Sequence, residues 1–209
     1  MNWKVYLNLK NMTIALIIAL CYEILLKLSR QFIPILFNHA PVMNITQVLS
    51  FLTGIIIILF MILFYQQEGT DRKVKWVLEV LIGLLILHFI LRLPFIENLI
   101  NFRAARLTGE IIGFIQAVFL FLLLIFYQNQ IASREKSFKQ AAVFLTVMFG
   151  IAIFRNLLSL IFYTHFIISG ISITFSPLFY QVLFFLFLIT RVTIIWFLYG
   201  YYQFRIVAG

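Results

Sequence analysis

The sequence predicts an all-α integral membrane protein with six transmembrane helices, and three observations support that prediction. The 209 residues are 64% hydrophobic and only 11% charged, whereas soluble domains are about half apolar and about a quarter charged. The apolar residues form six long runs, and a spanning helix needs about 20 such residues. The runs lack the apolar–polar alternation of lipid-spanning strands. Soluble globular, disordered and fibrous chains are therefore excluded.

Each run is long enough to satisfy its own backbone hydrogen bonds as a helix inside the bilayer. Turn-forming or polar residues separate the runs: 38–41 after the first, 66–71 after the second, Pro94 after the third, and 169–177 before the sixth. Because the connections are short, consecutive helices should be antiparallel neighbours in one domain over 1–209. The predicted spans are Met12–Phe37, Val48–Tyr65, Val74–Leu93, Thr108–Tyr127, Ala141–Ile168 and Leu178–Tyr202.

The basic residues predict the orientation of the chain. The net charge is +9, and cytoplasmic loops of membrane proteins retain lysine and arginine. Both termini are therefore predicted to be cytoplasmic, in a multi-pass protein of the plasma (inner) membrane of a prokaryote, and nucleic acid is not expected as a partner. The residues that carry this argument are Lys4, Lys10, Arg72, Lys73, Lys75, Arg134, Lys136, Lys139 and Arg205, against Arg103 and Arg106 on the other side.

A threefold internal repeat is also predicted. The second span ends Phe64-Tyr65-Gln66 and the fourth ends Phe126-Tyr127-Gln128, 62 residues later, while the sixth ends Tyr201-Tyr202-Gln203. Three helical hairpins (10–66, 72–128 and 134–203) would then pack around a pseudo-threefold axis normal to the membrane. The alternative is coincidence, since aromatic residues are common at membrane interfaces.

Charged residues inside the spans are the candidate functional site. Each costs roughly 2.5–3.5 kcal/mol at mid-bilayer on insertion scales, so it is a functional hypothesis by default. The odd-numbered helices should face the interior with their arginines at similar depth, and the second and fourth helices should face lipid. The candidate ligand-binding residues are Arg30, Arg92, Arg155, Glu110, Glu23, Lys27, Arg191 and His88.

Two interpretations of these charges remain open. An arginine fork binds carboxylate or phosphate well, so three arginines facing one cavity favour an anionic solute or lipid headgroup. Alternatively, the arginines reach the outer headgroups, or pair internally with Glu23, Glu97 or Glu110. On the first helix, Glu23 and Lys27 are spaced to neutralise each other.

The sequence contains no nucleotide-binding, hydrolase or metalloprotease motif, and its three histidines and one cysteine, Cys21, are scattered. An enzyme is therefore the third-ranked interpretation, and neither a cofactor nor a metal is expected.

The first-ranked interpretation is a small polytopic protein that binds or transports a small anionic or amphipathic molecule through an arginine-lined, outward-facing cavity. The second is a non-transporting scaffold or sensor subunit whose charges fix packing and partner docking. Partners would be the bilayer, an anionic small molecule or lipid, and a membrane subunit or a second copy.

Overall fold

Six long helices make up the computed structural model, which describes residues 8–32, 40–69, 71–91, 93, 102–131, 136–169 and 177–207. The described part of the chain is helical apart from short turns and contains no strand. All six helices are long and apolar enough to cross a membrane, which confirms the predicted number of helices capable of spanning it. The helices are α1 (Leu9–Phe32), α2 (Ala40–Glu68), α3 (Arg72–Leu91), α4 (Phe102–Gln128), α5 (Lys136–Ser169) and α6 (Pro177–Tyr201), and a π-helical segment (Tyr202–Val207) follows α6.

Helix starts are set by polar residues outside the apolar runs. The Asn8 side chain accepts a hydrogen bond from the Asn11 amide at 2.8 Å, and Asp71 accepts one from the Lys73 amide at 2.7 Å. Both residues cap amides that have no partner within the helix. The helices α1 and α3 therefore begin a few residues before the predicted spans. Hydropathy identifies the residues inside the hydrocarbon core, whereas the helix begins at its capping residue.

The described part of α1 ends at Phe32, and residues 33–37 of the predicted span lie outside the described residues. Two later helices have a proline in their first turn: α2 includes Pro41, and α6 begins at Pro177. A proline in the first turn costs no hydrogen bond, since the amides there have no helical acceptor.

The six helices form a closed ring. Each helix packs against the next along the chain, and α6 returns to pack against α1. Short connections between antiparallel helices account for this up-and-down order.

The two halves of the bundle are named by the chain ends. The proximal half holds the start of α1 and the end of α6, and the distal half is the opposite half.

The buried core lies in the proximal half. Its centre is the proximal aromatic cluster, which consists of Phe64, Tyr127, Phe138, Phe197 and Tyr201, all at most 8% exposed. The Phe64 ring centroid lies 5.4 Å from that of Tyr127 and 5.2 Å from that of Tyr201, which joins α2, α4 and α6. These aromatic side chains fill the proximal end of the helix ring.

Polar contacts reinforce the proximal end. The Tyr201 hydroxyl donates to Glu68 Oε1 at 3.0 Å, and the Tyr65 hydroxyl donates to Glu79 Oε1 at 2.8 Å. The guanidinium of Arg205 donates to the Gln130 carbonyl at 2.7 Å. Gln128 also donates to the Ala142 carbonyl and to the Thr146 hydroxyl on α5. Non-adjacent helices and one connection are thus tied together near the chain ends.

The expected division between inner odd helices and lipid-facing even helices is not observed. The buried share of the six spans runs 28, 22, 22, 22, 22 and 17% from first to last, so α2 and α4 are as buried as α3 and α5. The reason is the ring, in which every helix has one inward face and one face toward lipid.

Candidate functional site

The inward faces of five helices change from apolar to polar between the two halves. On each helix, a buried apolar residue is followed, seven residues toward the distal end, by a charged residue or a histidine. Seven residues are about two helical turns, so both side chains lie on the same face. The pairs are Leu16 and Glu23, Leu81 and His88, Ala117 and Glu110, Met148 and Arg155, and Leu198 and Arg191, with the apolar member at most 5% exposed in each.

Exposure rises along these faces together with polarity. On α1, Leu20 is 1% exposed, whereas Lys27, seven residues further on the same face, is exposed, and so is Arg30. On the other helices, His88, Glu110, Arg155 and Arg191 are half-buried. The inward faces are therefore closely packed in the proximal half and less buried in the distal half.

An ion pair joins the first and last helices in the distal half. The guanidinium Nη2 of Arg191 on α6 lies 3.0 Å from the carboxylate Oε2 of Glu23 on α1, and the two side chains are 27% and 22% exposed. Glu23 was expected to neutralise Lys27 on its own helix or one of the other arginines. Its described ion pair is with Arg191 instead.

Two of the cations contact the ring of Phe187. The Lys27 ammonium lies 5.2 Å from the centroid of the Phe187 ring, and the Arg191 guanidinium lies 5.2 Å from the same centroid. A cation is attracted to the face of an aromatic ring at this distance. Sequence reasoning missed Phe187, because nothing distinguishes it among 25 phenylalanines.

Hydrogen bonds between α4 and α5 form the second part of the site. The Ser159 hydroxyl donates to Glu110 Oε2 at 2.9 Å, and the Asn156 amide donates to the Gly113 carbonyl at 3.1 Å. The Arg155 Nε and Nη2 groups donate to Asn156 Oδ1 at 3.3 and 3.0 Å. The Arg155 charge is repelled by Arg191 and attracted by Glu110. The charges of α1, α4, α5 and α6 thus interact in one cluster.

The distal charged cluster carries an excess of positive charge. We give this name to Glu23, Lys27, Glu110, Arg155 and Arg191, which among the described residues supply three cations and two carboxylates. Like charges facing one space in a low-dielectric environment repel unless an anion or a further carboxylate compensates them. The cluster is therefore suited to an anionic group.

The structure brings together most of the predicted site residues. Glu23, Lys27, Arg155, Arg191 and Glu110 belong to the connected network described above, while Arg30 lies exposed near the end of α1 and His88 lies half-buried on the inward face of α3. Arg92 and Glu97 lie outside the described residues.

Comparison with known proteins adds no assignment. No protein family, no curated protein and no solved structure matches this chain. Any function must therefore be inferred from the charged distal half of the bundle and from the chemistry of its side chains.

Proposed function

We propose that the protein binds or transports a small anionic or amphipathic molecule through an arginine-lined cavity in its distal half. The proposal rests on the increase in charge and exposure along a single helix face toward the distal half. Leu20 is 1% exposed in the proximal half, and Lys27 is exposed on the same face in the distal half. An inward face that becomes charged and less buried along its length is what a binding site for a charged solute requires.

Arg155 is the residue that we assign to the anionic group of the ligand. Arg191 is engaged by Glu23 at 3.0 Å, whereas the described hydrogen bonds of Arg155 go to the neutral amide oxygen of Asn156. A guanidinium has five N–H donors in a planar fork, so it has donors left for a carboxylate or phosphate. The apolar ring of Phe187 near Arg191 would contact a nonpolar part of the same ligand.

The orientation and the repeat extend the proposal. We assign the termini to the cytoplasm, which places the distal half at the outer face of a prokaryotic plasma membrane. The support is the distribution of lysine and arginine. A closed ring of three consecutive helical hairpins is compatible with three tandem repeats around a pseudo-threefold axis. Parallel repeats of this kind occur in transporters, although symmetry alone does not specify a function.

A scaffold or sensor role is the second candidate, and the interhelical contacts favour it. The Glu23–Arg191 ion pair links α1 to α6, and the Ser159–Glu110 hydrogen bond links α5 to α4. Intramembrane charges that pair with each other can have a purely structural role, in which they fix how the helices pack. In this case the ligand would be absent, and the same residues would set the shape of a docking surface for a membrane subunit.

A thermal-shift experiment separates the two candidates. The purified protein is heated in detergent with inorganic phosphate, short-chain carboxylates or glycerophosphate, because a ligand of the native state raises apparent stability by about 2.7 kcal/mol at one hundred times its Kd. Arg155→Gln should abolish the shift, and Arg155→Lys should restore it only partly, because a point charge cannot replace a fork. Lys75→Gln, which neutralises an exposed proximal lysine, is the control.

The opposite result identifies the scaffold. If no anion shifts the wild-type transition, and Arg155→Gln lowers stability while Glu110→Gln in the same chain restores it, the charges are structural. The proposal of a binding site would then be wrong.

A further inference from the structure

A groove on the outer surface of the ring is lined by residues outside the distal charged cluster. It has a volume of about 550 Å³ and runs along the proximal part of α5 beside α6. Lys136, Lys139 and Gln140 line one end, Val143 and Val147 line the rest of α5, and Trp196 forms the α6 wall. Its length along α5, from Lys136 to Val147, is about 16 Å at 1.5 Å per residue.

The groove faces lipid. Val143, Val147 and Trp196 are 46%, 54% and 40% exposed, whereas Phe138 and Ala142 on the opposite side of α5 are fully buried. The lining changes from Lys136, Lys139 and Gln140 to Val143 and Val147 along α5, so the groove leads from the headgroup region into the hydrocarbon of one leaflet. Its two lysines stand at the end nearest the start of α5, where the helix enters the headgroup region, and Trp196 has the amphipathic ring typical of that depth.

The chemistry of the groove changes along its length. At the headgroup end the exposed ammonium groups of Lys136 and Lys139 are one turn apart on α5, and the Gln140 amide is beside them. Of the described residues that line the groove, two are basic and none is acidic. The rest of the lining is apolar and is formed by side chains of α5 and α6. A phosphate at the lysines with an acyl chain along Val143 and Val147 matches this order.

We propose that the groove between α5 and α6 is a binding site for an anionic phospholipid of the proximal leaflet, with its phosphate on Lys136 and Lys139 and one acyl chain against Trp196. The proposal requires only that the helices span a membrane and is independent of the ligand proposed for the distal half. Basic pockets beside membrane helices bind anionic headgroups in this way.

Brominated lipids test the site through tryptophan fluorescence. The protein with Trp3→Phe and Trp76→Phe keeps only Trp196 and is reconstituted in nanodiscs of phosphatidylcholine with 20% phosphatidylglycerol. Only one of the two lipids carries bromine on its acyl chains in each sample. We expect Trp196 to be quenched more strongly by brominated phosphatidylglycerol than its mole fraction predicts. Lys136→Gln with Lys139→Gln should lower this preference roughly thirty-fold, since each lysine near the surface contributes about a fivefold factor.

A matched control distinguishes a site from general surface attraction. Trp76, on α3 at the same end of the bundle, is 55% exposed and has the exposed lysines Lys73 and Lys75 beside it. In the protein that keeps only Trp76, the Lys136 and Lys139 substitutions should change nothing. In the protein that keeps only Trp196, Lys73→Gln with Lys75→Gln should change nothing. Equal quenching of Trp196 by the two lipids, or a preference unaffected by Lys136 and Lys139, overturns the proposal. Size-exclusion profiles of all variants confirm folding.

Discussion

The carboxylate of Glu23 and the guanidinium of Arg191, 3.0 Å apart, join the first and the last helix of the ring. The two side chains come from opposite ends of the chain, so this ion pair stabilises the contact that no short connection enforces. It lies in the distal half, where the inward faces are less buried, and it is only 27% and 22% exposed. The closure of the ring and the charge of the candidate site therefore depend on the same two residues.

The first prediction concerns this ion pair. Glu23→Gln leaves the Arg191 charge without its carboxylate and should lower the free energy of unfolding by about 1–3 kcal/mol, less than the loss expected for a fully buried pair. Arg191→Gln should cost a similar amount. The double variant should be closer to wild type than the sum of the two losses, which thermal unfolding in detergent measures as a coupling energy. Simple additivity would contradict a direct interaction.

The second prediction concerns the orientation of α5. This helix has 34 residues and is about 50 Å long, which exceeds the roughly 40–45 Å of a bilayer with its headgroups, so both ends should reach water. In a Cys21→Ser background, Ser169→Cys should react with a membrane-impermeant maleimide added to intact cells. Lys136→Cys should react only after the cells are opened. Labelling of position 136 in intact cells would reverse the proposed topology.

The third prediction concerns Gly200 in the proximal half. A Cβ at this position would lie 2.8 Å from Phe138 Cδ2 and 3.3 Å from Phe138 Cβ. Gly200→Ala should therefore destabilise the protein by about 1–3 kcal/mol, the usual cost of overpacking. The control is Gly83→Ala, where a Cβ meets no atom within 4 Å. Thermal unfolding that is equally affected by both substitutions would show that α5 and α6 do not pack closely at Phe138.

The fourth prediction concerns the hydroxyl of Tyr201. It donates to Glu68 across the proximal end at 3.0 Å, from a side chain that is fully buried. Tyr201→Phe should cost about 1–3 kcal/mol, because a hydrogen bond to a charged group is lost and the carboxylate loses a buried partner. Tyr199→Phe on the same helix, which removes a hydroxyl from an exposed ring, should change stability by less than about 0.5 kcal/mol. Indistinguishable melting curves for the two variants would exclude a stabilising role for Tyr201.

The number of helices and their approximate limits follow from the sequence, because bilayer thickness requires long apolar runs. The exact limits do not, because a helix begins at its capping residue, such as Asn8 or Asp71, which lies outside the apolar run that hydropathy detects. The helix order around the ring was expected only in part. Short connections predict each sequential neighbour, but nothing in the sequence predicts that α6 returns to α1.

The members of the charged cluster were more predictable from the sequence than their pairing. Glu23, Lys27, Glu110, Arg155 and Arg191 were selected because charge is costly in lipid, and the structure places them in one cluster. Their partners depend on which helices are adjacent and how each is rotated, so the choice of Arg191 by Glu23 was not predictable.

The two halves of the bundle are held by different kinds of contact. The proximal aromatic cluster joins its helices through closely packed rings, whereas the described distal charges meet through an ion pair and hydrogen bonds between half-buried side chains. We therefore expect a tilting helix to pivot near Phe64 and Tyr201, with the larger displacement in the distal half. A group that bridges Arg155 and Arg191 would then limit this displacement and leave the proximal packing unchanged.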